Sequence, residues 1–276
     1  MTLADTLRDL DVRSMNGPIN LDCTLHEPGG TSLPLRQLTR GGVGSMVSCL
    51  MVTTGERYAI RSALECYRRQ LYDNRELVIV TYLDRAGALR DLLDAEGVDA
   101  ELHGVGRDLS LGEMRNVAVA RSHGHLLIQW DDDDLSDPAR ITVAEAILSQ
   151  TLAAALLLRR VLIWWPEREL AAISTSRLWE GSIAMWRADA PIYPSLNRME
   201  DTHALEFLTS TRAVASCDLP LLYVYVVHGR NTCEEQHFEG HVGQAACVFR
   251  GQEFADLTQM LAGRMPILDY RPGQNL

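Results

Sequence analysis

Four consecutive aspartates, Asp131, Asp132, Asp133 and Asp134, directly follow a predicted strand over residues 125–130. Ligands of open α/β sheets bind at the carboxyl ends of the strands, and adjacent carboxylates repel one another, so their burial without a counter-ion would be costly. Mg²⁺ and Mn²⁺ prefer such oxygen ligands, and an extended backbone directs Asp131 and Asp133 to the same side. The pattern therefore predicts a divalent-metal site, and the alternative is a solvated acidic loop that caps the next helix.

Strands and helices alternate in the segment that precedes the aspartates. The predicted strands are apolar runs without polar alternation, which is typical of strands buried on both faces, whereas the segments between them have the apolar spacing of helices. This order favours a parallel sheet covered on both faces by helices. The predicted strands are 46–52, 77–80, 100–103 and 125–130, and the predicted helices are 57–71, 86–95 and 111–122.

The pattern changes after residue 130, where we expect an antiparallel extension. Pro138 suits the first turn of a helix over residues 138–150, with Ser136 or Asp137 as its cap. Residues 1–45 are rich in Gly, Pro and Thr, and we expect loops there with one short helix. The remaining predicted elements are strands at 156–165, 170–174, 182–186 and 221–227, helices at 200–210 and 252–261, and a loop at the carboxy-terminal tail.

The composition limits the classes of protein and ligand. The 276 residues include 26 Lys and Arg against 37 Asp and Glu, which gives a net charge of −11 and argues against broad binding to nucleic-acid backbones. A bound cation can locally reverse such a field, so a small phosphorylated ligand stays compatible with it. The six cysteines are widely spaced and form no CxxC pair, which indicates buried thiols in a reducing compartment.

The sequence predicts neither a secretory signal nor a stable membrane span. Its amino terminus carries acidic residues and no apolar block. The most apolar stretch, residues 152–165, is too short to cross a bilayer and is interrupted by Arg159 and Arg160. We therefore expect a cytoplasmic protein, and a homo-oligomer is compatible with the sequence.

The order of the motifs resembles the inverting glycosyltransferases of family two, which use nucleotide sugars and have the A-type fold. The resemblance covers residues 46–210 and implies an α/β protein with a single Rossmann-like A-type glycosyltransferase domain. Its central sheet would be mostly parallel and flanked by helices, with the antiparallel extension towards the carboxy terminus. We predict a lead-in at 1–45, this domain at 46–240, and a helix and tail at 241–276. The matching segments are 47–57, 70–80, 111–116, 123–134, 181–182 and 200–201.

The resemblance also implies which residues bind the nucleotide and the metal. Asp131 would contact the ribose or the metal shell, Asp132 would belong to the same nucleotide site, and Asp133 would ligate a Mn²⁺ or Mg²⁺ ion that bridges the diphosphate. Two loops hold the base in relatives. The first corresponds here to 53–56 and begins at Thr53, where the family usually has Pro-Thr-Tyr-Asn. The second corresponds to 81–84 and ends at Asp84, where the family usually has Asp-Asp-Gly-Ser. These two residues are candidates for that role.

Four further residues take their predicted roles from the same resemblance. Glu200 and Asp201 resemble the family's Glu-Asp pair, with Asp201 as the catalytic base and Glu200 in support; the alternative is an acidic pair at a helix N-terminus. His228 follows the predicted strand 221–227 and is either a further metal ligand or a structural histidine. Arg115, in Gly-x-x-Arg-Asn, would bind phosphate, orient the acidic loop or form a salt bridge with it.

Three functions remain open at this point. The first is a metal-dependent inverting glycosyltransferase that moves a sugar from a nucleoside diphosphate sugar, UDP-linked by expectation, to an unidentified small-molecule, glycan or lipid-linked acceptor. The second is a sugar-phosphate nucleotidyltransferase, although the loop after the first strand is a poor match for a triphosphate-binding loop. The third is a non-catalytic nucleotide-sugar-binding protein on a degenerate transferase fold.

Overall fold

A computed structural model describes residues 22–35, 44–55 and 57–270. The short helix expected within the lead-in does not fall in 22–35, so that prediction lies outside the described residues. The end of the expected carboxy-terminal loop, residues 271–276, lies outside them as well.

A nine-stranded sheet forms the centre of the molecule, and its parallel half positions the acidic loop. Strand β3 pairs in parallel with β4 on one side and with β6 on the other, and β5 extends the parallel array beyond β4. The order across the sheet is β2-β1-β12-β8-β11-β6-β3-β4-β5. Its strands are β1 (Cys23–His26), β2 (Ser32–Leu35), β3 (Val47–Thr53), β4 (Arg75–Tyr82), β5 (Glu101–Val105), β6 (Leu126–Gln129), β8 (Ala155–Leu158), β11 (Trp179–Trp186) and β12 (Val214–Cys217).

Helices connect the parallel strands and cover the sheet, as the sequence predicts. The central residues of β4 and all of β6 are buried because these strands are apolar runs with helices or neighbouring layers on both faces. Ser110 begins the third helix with a capping box, in which Glu113 Oε2 accepts a hydrogen bond from Ser110 N at 2.8 Å. The helices are α1 (Arg57–Arg68), α2 (Leu83–Glu96), α3 (Leu111–Arg121), α4 (Arg140–Leu148), α5 (Glu200–Thr211), α6 (Glu235–Gly243) and α7 (Gln252–Ala262).

A second, smaller sheet of five strands packs beside the first and confirms the extension. Its order is β14-β10-β9-β13-β7, and all of its pairings are antiparallel except that between β13 and β9. The two sheets share one continuous apolar core, in which Trp130 and Trp165 are among the largest fully buried side chains. The strands are β7 (Leu135–Ser136), β9 (Leu162–Trp165), β10 (Leu170–Ile173), β13 (Tyr223–Val226) and β14 (Cys247–Arg250).

The expected loop at 22–35 is wrong, because this segment forms the hairpin β1–β2. Gly29 and Gly30 have positive φ angles of 98° and 92° and form the turn that an adjacent glycine pair permits. Strand β1 pairs with β12, and His26 Nε2 lies 2.8 Å from Ser216 Oγ. The hairpin therefore extends the large sheet at the edge formed by β12, a pairing with no local signature in the sequence.

Two other predicted elements differ from the structure. The strand expected at 156–165 is two strands, β8 and β9, which lie in different sheets. Arg159 and Arg160 fall in the connection, where Arg160 forms an ion pair with Asp218. The helix expected from Pro138 begins at Arg140, after Asp137 Oδ1 accepts a hydrogen bond from Ala139 N at 2.9 Å. The N-cap position is therefore Ala139, which has no capping side chain, and neither predicted cap, Ser136 or Asp137, occupies it.

The predicted division of the chain stays a prediction. Strands β1 and β14 lie outside residues 46–240, yet they pair with β12 and β10 inside that segment. Among the described residues, no helix has both the length and the apolar character needed to cross a membrane.

Candidate active site

A cavity of about 660 Å³ lies at the carboxyl ends of β3, β4 and β6. This position is where ligands bind in open α/β sheets. It brings together Thr53, Arg115, the first three aspartates and His228, six of the residues predicted for the site. Its lining residues are Val52, Thr53, Thr54, Tyr82, Leu111, Met114, Arg115, Asp131, Asp132, Asp133, Asn197, His228, Arg230 and Thr232.

The side chains of Asp132 and Asp133 contact different elements around the cavity. Asp132 Oδ2 accepts a hydrogen bond from Thr53 Oγ1 at the end of β3. Asp133 Oδ2 lies 3.1 Å from His228 Nε2, which follows β13 of the second sheet. The backbone oxygen of Asp133 also accepts a hydrogen bond of 2.6 Å from Tyr270 Oη. The loop is therefore held from both sheets and from the carboxy-terminal segment.

Asp131 connects the loop to α3 and α5. Its Oδ1 lies 3.5 Å from a terminal nitrogen of Arg115, whose Nε donates to Glu200 Oε1 at 2.9 Å. The side-chain amide of Gln129 donates to both carboxylate oxygens of Asp131, at 3.1 and 3.0 Å. Arg115 therefore lies between the predicted nucleotide carboxylate and the predicted catalytic pair, in agreement with the predicted salt bridge to the acidic loop.

Asp134 does not line the cavity but lies beneath it, with 5% of its surface exposed. Its Oδ1 accepts a hydrogen bond from Val226 N at 2.8 Å, and its Oδ2 accepts one from Tyr223 Oη. Tyr223 Oη also lies 3.2 Å from Asp131 Oδ2. A Cβ at Gly181 would come within 2.6 Å of that hydroxyl, so a glycine is required at this close approach.

The surroundings of the loop disfavour the charged forms of three of its aspartates. Burial raises the pKa of Asp131, and burial together with the charge of Asp133 raises the pKa of Asp132 to about 8. The same two causes raise the pKa of Asp134 well above its ordinary value. Burial lowers the pKa of Arg115, but the carboxylates of Asp131 and Glu200 outweigh burial and leave that pKa raised. Carboxylates in a cleft with such raised pKa values are typical of functional sites.

The donor set of the cavity fits a divalent ion. Asp133 and His228 form a compact carboxylate and imidazole pair, which suits Mn²⁺. Asp131 is more distant, because its carboxylate oxygens do not lie within 4.8 Å of the ligand atoms of both Asp133 and His228. Next to Asp131, Oε1 of the buried Gln129 has no hydrogen-bond partner among the described residues. Asp133 and His228 are therefore the residues placed to hold an ion directly, and Asp131 is placed for its outer shell or for the ribose.

The Gly-x-x-Arg-Asn motif on α3 joins the cavity to α5, and each of its named residues has a distinct contact. A Cβ at Gly112 would lie 1.9 Å from the backbone oxygen of Pro194, so this helix turn packs directly on the loop before α5. The side-chain amide of Asn116 donates to Tyr193 O at 2.8 Å and accepts from Tyr193 N at 2.9 Å. Arg115 lies between Gly112 and Asn116 in the sequence, and these two contacts hold it beside Glu200, with which it forms an ion pair.

Glu200 and Asp201 form the first turn of α5, after Met199 in the left-handed conformation with φ 64°. Glu200 is buried, and burial raises its pKa although Arg115 acts against this rise. Asp201 is half-buried and accepts a hydrogen bond from Thr202 N at 2.8 Å. Neither residue lines the cavity, but the charge of Asp201 contributes to the raised pKa of Asp131. The pair thus adjoins the cavity behind Arg115.

Asp84 is not brought into the cavity. It lies in the first turn of α2 and is exposed, and its Oδ2 forms an ion pair of 2.6 Å with Arg107. That hydrogen bond lowers the pKa of Asp84. Tyr82, which ends β4, lines the cavity instead.

The sequence reasoning did not single out Tyr82, Asn197, Tyr223 or Tyr270 as site residues. Tyr82 lies two residues after the predicted strand 77–80, at the same sheet edge as Thr53, and that position was an available signal. Tyr223 and Tyr270 reach the acidic loop from positions 89 and 137 residues away along the chain. No local pattern identifies such distant contacts.

No protein-family model matches the chain, and no curated protein matches it by sequence. Solved structures do match. They include S. aureus TarS 1–349 in complex with UDP (16% identity, TM-score 0.52, covering 78% of this chain and 72% of that one). The Pyrobaculum calidifontis mannosyltransferase PcManGT, in complex with GDP-Man and Mn²⁺, shares 16% identity with a TM-score of 0.53 over 88% of this chain and 69% of that one.

GalNAc-T7 with UDP, GalNAc and Mn²⁺ matches at 10% identity and a TM-score of 0.53, over 66% of this chain and 44% of that one. The match to another TarS structure likewise covers only 41% of that chain, so this protein spans less than half the length of some structures it matches. The similarity confirms the α/β architecture and the fold predicted from the motifs. The chain has the A-type glycosyltransferase fold.

Proposed function

We propose that the protein is a metal-dependent glycosyltransferase that moves a sugar from a nucleoside diphosphate sugar to an acceptor hydroxyl or amine. The observation that carries this proposal is the meeting of Asp133 and His228 in a cavity at the carboxyl ends of the parallel strands, on a loop with excess negative charge. A nucleoside diphosphate also needs a cation at such a loop, because its phosphates would otherwise be repelled.

The donor is held by residues of the described cavity. Asp133 and His228 would bind Mn²⁺ or Mg²⁺, which as a Lewis acid stabilises the charge of the departing diphosphate. Asp131 would contact the ribose or the metal shell, while Thr53 fixes Asp132 at the end of β3. Tyr82 offers an aromatic face to the nucleoside. We expect a UDP-linked donor, in line with the motif resemblance and with the UDP-bound structures of similar fold.

The acceptor side is assigned to α5. Asp201 would remove the proton from the acceptor as it attacks the anomeric carbon, in a single displacement that inverts that centre. Glu200 supports Asp201 by holding Arg115 in an ion pair, between the acidic loop and the first turn of α5. Acceptor class, whether small molecule, glycan or lipid-linked, and a cytoplasmic location remain predictions from the sequence.

A thermal-shift screen of UDP, GDP, ADP and their sugar conjugates, with and without Mn²⁺, tests the donor site. A ligand that binds only the folded state raises its melting temperature by mass action, so we expect a shift that requires both nucleotide and Mn²⁺. Slow hydrolysis of the same nucleotide sugar, with release of nucleoside diphosphate, would identify the transferable group. If no nucleotide or nucleotide sugar shifts the melting temperature or is hydrolysed in the presence of Mn²⁺, the proposal is wrong.

The same preparation separates the two other functions. Release of pyrophosphate from a nucleoside triphosphate and a sugar phosphate would identify a nucleotidyltransferase. Tight Mn²⁺-dependent binding without hydrolysis, and without transfer to a broad panel of acceptors, would identify a non-catalytic binding protein.

A further inference from the structure

The fourth aspartate of the acidic loop has a different position from the other three. Asp133 faces the cavity, whereas Asp134 lies beneath it and is fully engaged by the protein. Its two carboxylate oxygens accept hydrogen bonds from Val226 N and Tyr223 Oη, both of which belong to β13. A motif with two spaced aspartates would account for Asp131 and Asp133 but not for Asp134.

These contacts join the two halves of the site. The acidic loop follows β6 of the large sheet, whereas β13 belongs to the small sheet and ends two residues before His228. Asp134 is therefore a direct link between the loop that carries Asp133 and the strand that leads to His228. The loop also continues into β7, which pairs with β13 in the small sheet, so the hydrogen bonds of Asp134 reinforce a backbone pairing between the two segments that hold Asp133 and His228 3.1 Å apart.

The hydroxyl of Tyr223 has little freedom to point elsewhere. Gly181 leaves no room beside it, and the Arg140 guanidinium lies over the ring, 4.8 Å from its centroid. Arg140 itself is fixed by hydrogen bonds of 2.8 Å to Ser136 Oγ and to Gln129 O. The layer below the cavity is thus rigid and polar, which is the kind of support that keeps metal ligands in place.

We propose that Asp134 and Tyr223 are positioning residues that set the spacing between Asp133 and His228 for a divalent ion. This inference rests on the proposed function, because it assigns to the two residues the preorganisation of that metal site. Asp134 acts through the hydrogen bonds to β13, and Tyr223 acts through Asp134 and through its proximity to Asp131.

The test measures Mn²⁺ binding to the full-length protein by electron paramagnetic resonance, alone and with UDP. The variants are Tyr223→Phe and Asp134→Asn, which alter the link from its two sides with little change in volume. Tyr225→Phe is the matched control, because it makes the same change on the same strand, at a ring that packs against Trp179 and Phe238. Visible absorption of bound Co²⁺ reports the ligand geometry independently of affinity.

We expect both link variants to bind Mn²⁺ about 10-fold more weakly, as is typical when an outer-shell partner is lost. Their Co²⁺ spectra should shift, while Tyr225→Phe should match the wild type in both measurements. Wild-type affinity and an unchanged Co²⁺ spectrum in a folded Tyr223→Phe protein would overturn the inference, as would an equal loss in Tyr225→Phe. Absence of Mn²⁺ binding in the wild-type protein, alone and with UDP, would instead overturn the proposed metal site itself.

Discussion

Two acidic regions lie at opposite ends of the same sheet. At one end, the aspartate loop follows β6; at the other, Glu76 and Glu101 lie in the first residues of β4 and β5, beside His123. Ligand atoms of Glu76, Glu101 and His123 lie within 4.8 Å of one another, a tighter grouping than that of Asp131, Asp133 and His228. Proximity alone would therefore rank the second region above the first.

The hydrogen-bond donors around the two regions reverse that ranking. Glu76 Oε1 accepts hydrogen bonds from Ser48 Oγ at 2.5 Å, His123 N at 2.6 Å and Gly124 N at 3.2 Å. Burial raises the pKa of Glu76, but these hydrogen bonds outweigh burial and leave its pKa below the ordinary value. The pKa of Asp132, by contrast, is raised to about 8 by burial and by Asp133. The fold thus stabilises the charged form of Glu76, whereas it disfavours the charged form of Asp132, which a bound cation would favour.

Replacing Asp133 by alanine should have the largest effect on this comparison. The variant loses the carboxylate that faces His228, so we expect Mn²⁺-dependent binding of UDP to be abolished and transfer to fall by a factor of about 10³ or more. Calorimetry and initial rates measure the two effects. Glu101→Gln removes an exposed acid at the other end of the sheet and is the control. Equal losses in both variants would show that the two regions do not differ in function.

Asp201→Asn should separate binding from chemistry. Because Asp201 adjoins the cavity without lining it, we expect UDP affinity to stay within about two-fold while transfer falls by about 10²–10⁴, the usual worth of a general base. Glu206→Gln lies on the same helix, where Glu206 pairs with His203, and should leave both quantities unchanged. An Asp201→Asn enzyme with full transfer activity would remove the assignment of the base.

Glu76→Gln should reduce stability without affecting metal binding. The folded pKa of Glu76 is below its ordinary value of 4.5, so its contribution is present above pH 4.5 and is lost as the pH falls through the folded pKa. We expect the variant to lose about 1.5–3 kcal/mol of unfolding free energy at pH 7, and much less near the folded pKa. Urea unfolding at several pH values measures this. A difference between variant and wild type that does not change with pH would contradict the electrostatic explanation.

Asp84→Asn should have the smallest effect. Asp84 is exposed and pairs with Arg107 outside the cavity, so we expect UDP affinity to stay within about two-fold of the wild type. Tyr82→Ala is the matched comparison on the same connection, and it should weaken UDP binding if the nucleoside lies against the ring. Isothermal titration with Mn²⁺ present measures both. A large loss in Asp84→Asn alone would restore its predicted role at the base.

The sequence predicts the elements whose signals are local. Apolar runs identify β3, β4 and β6, and the cluster after β6 identifies the acidic loop. The apolar spacing predicts helix α3, whereas the reason for its Gly112, Arg115 and Asn116 is a contact of each with a distant segment. The strand predictions succeed because a strand that is buried on both faces is a continuous run of apolar residues.

Other parts of the structure depend on partners that are distant in the chain. The hairpin β1–β2 contains Pro34 and pairs with β12 almost 200 residues later, so nothing local distinguishes it from a loop. Strand β14 has only one fully buried residue, Phe249. Asp84 has the right position after a strand, but α2 begins at once and carries it to the surface. The roles of Tyr223 and Tyr270 arise in the same way from the meeting of two sheets.

The contacts of α3 with the loop before α5 have a mechanical consequence. The side chain of Asn116 forms hydrogen bonds with both the N–H and the C=O of Tyr193. Gly112 N donates to Leu196 O at 2.9 Å, and Leu111 N donates to Asn197 Oδ1 at 2.9 Å. These four hydrogen bonds join the helix and the loop, so we expect the two to move together when a ligand binds. Arg115 on the helix and Asn197 on the loop, which both line the cavity, should then keep the same separation in the free and the bound protein.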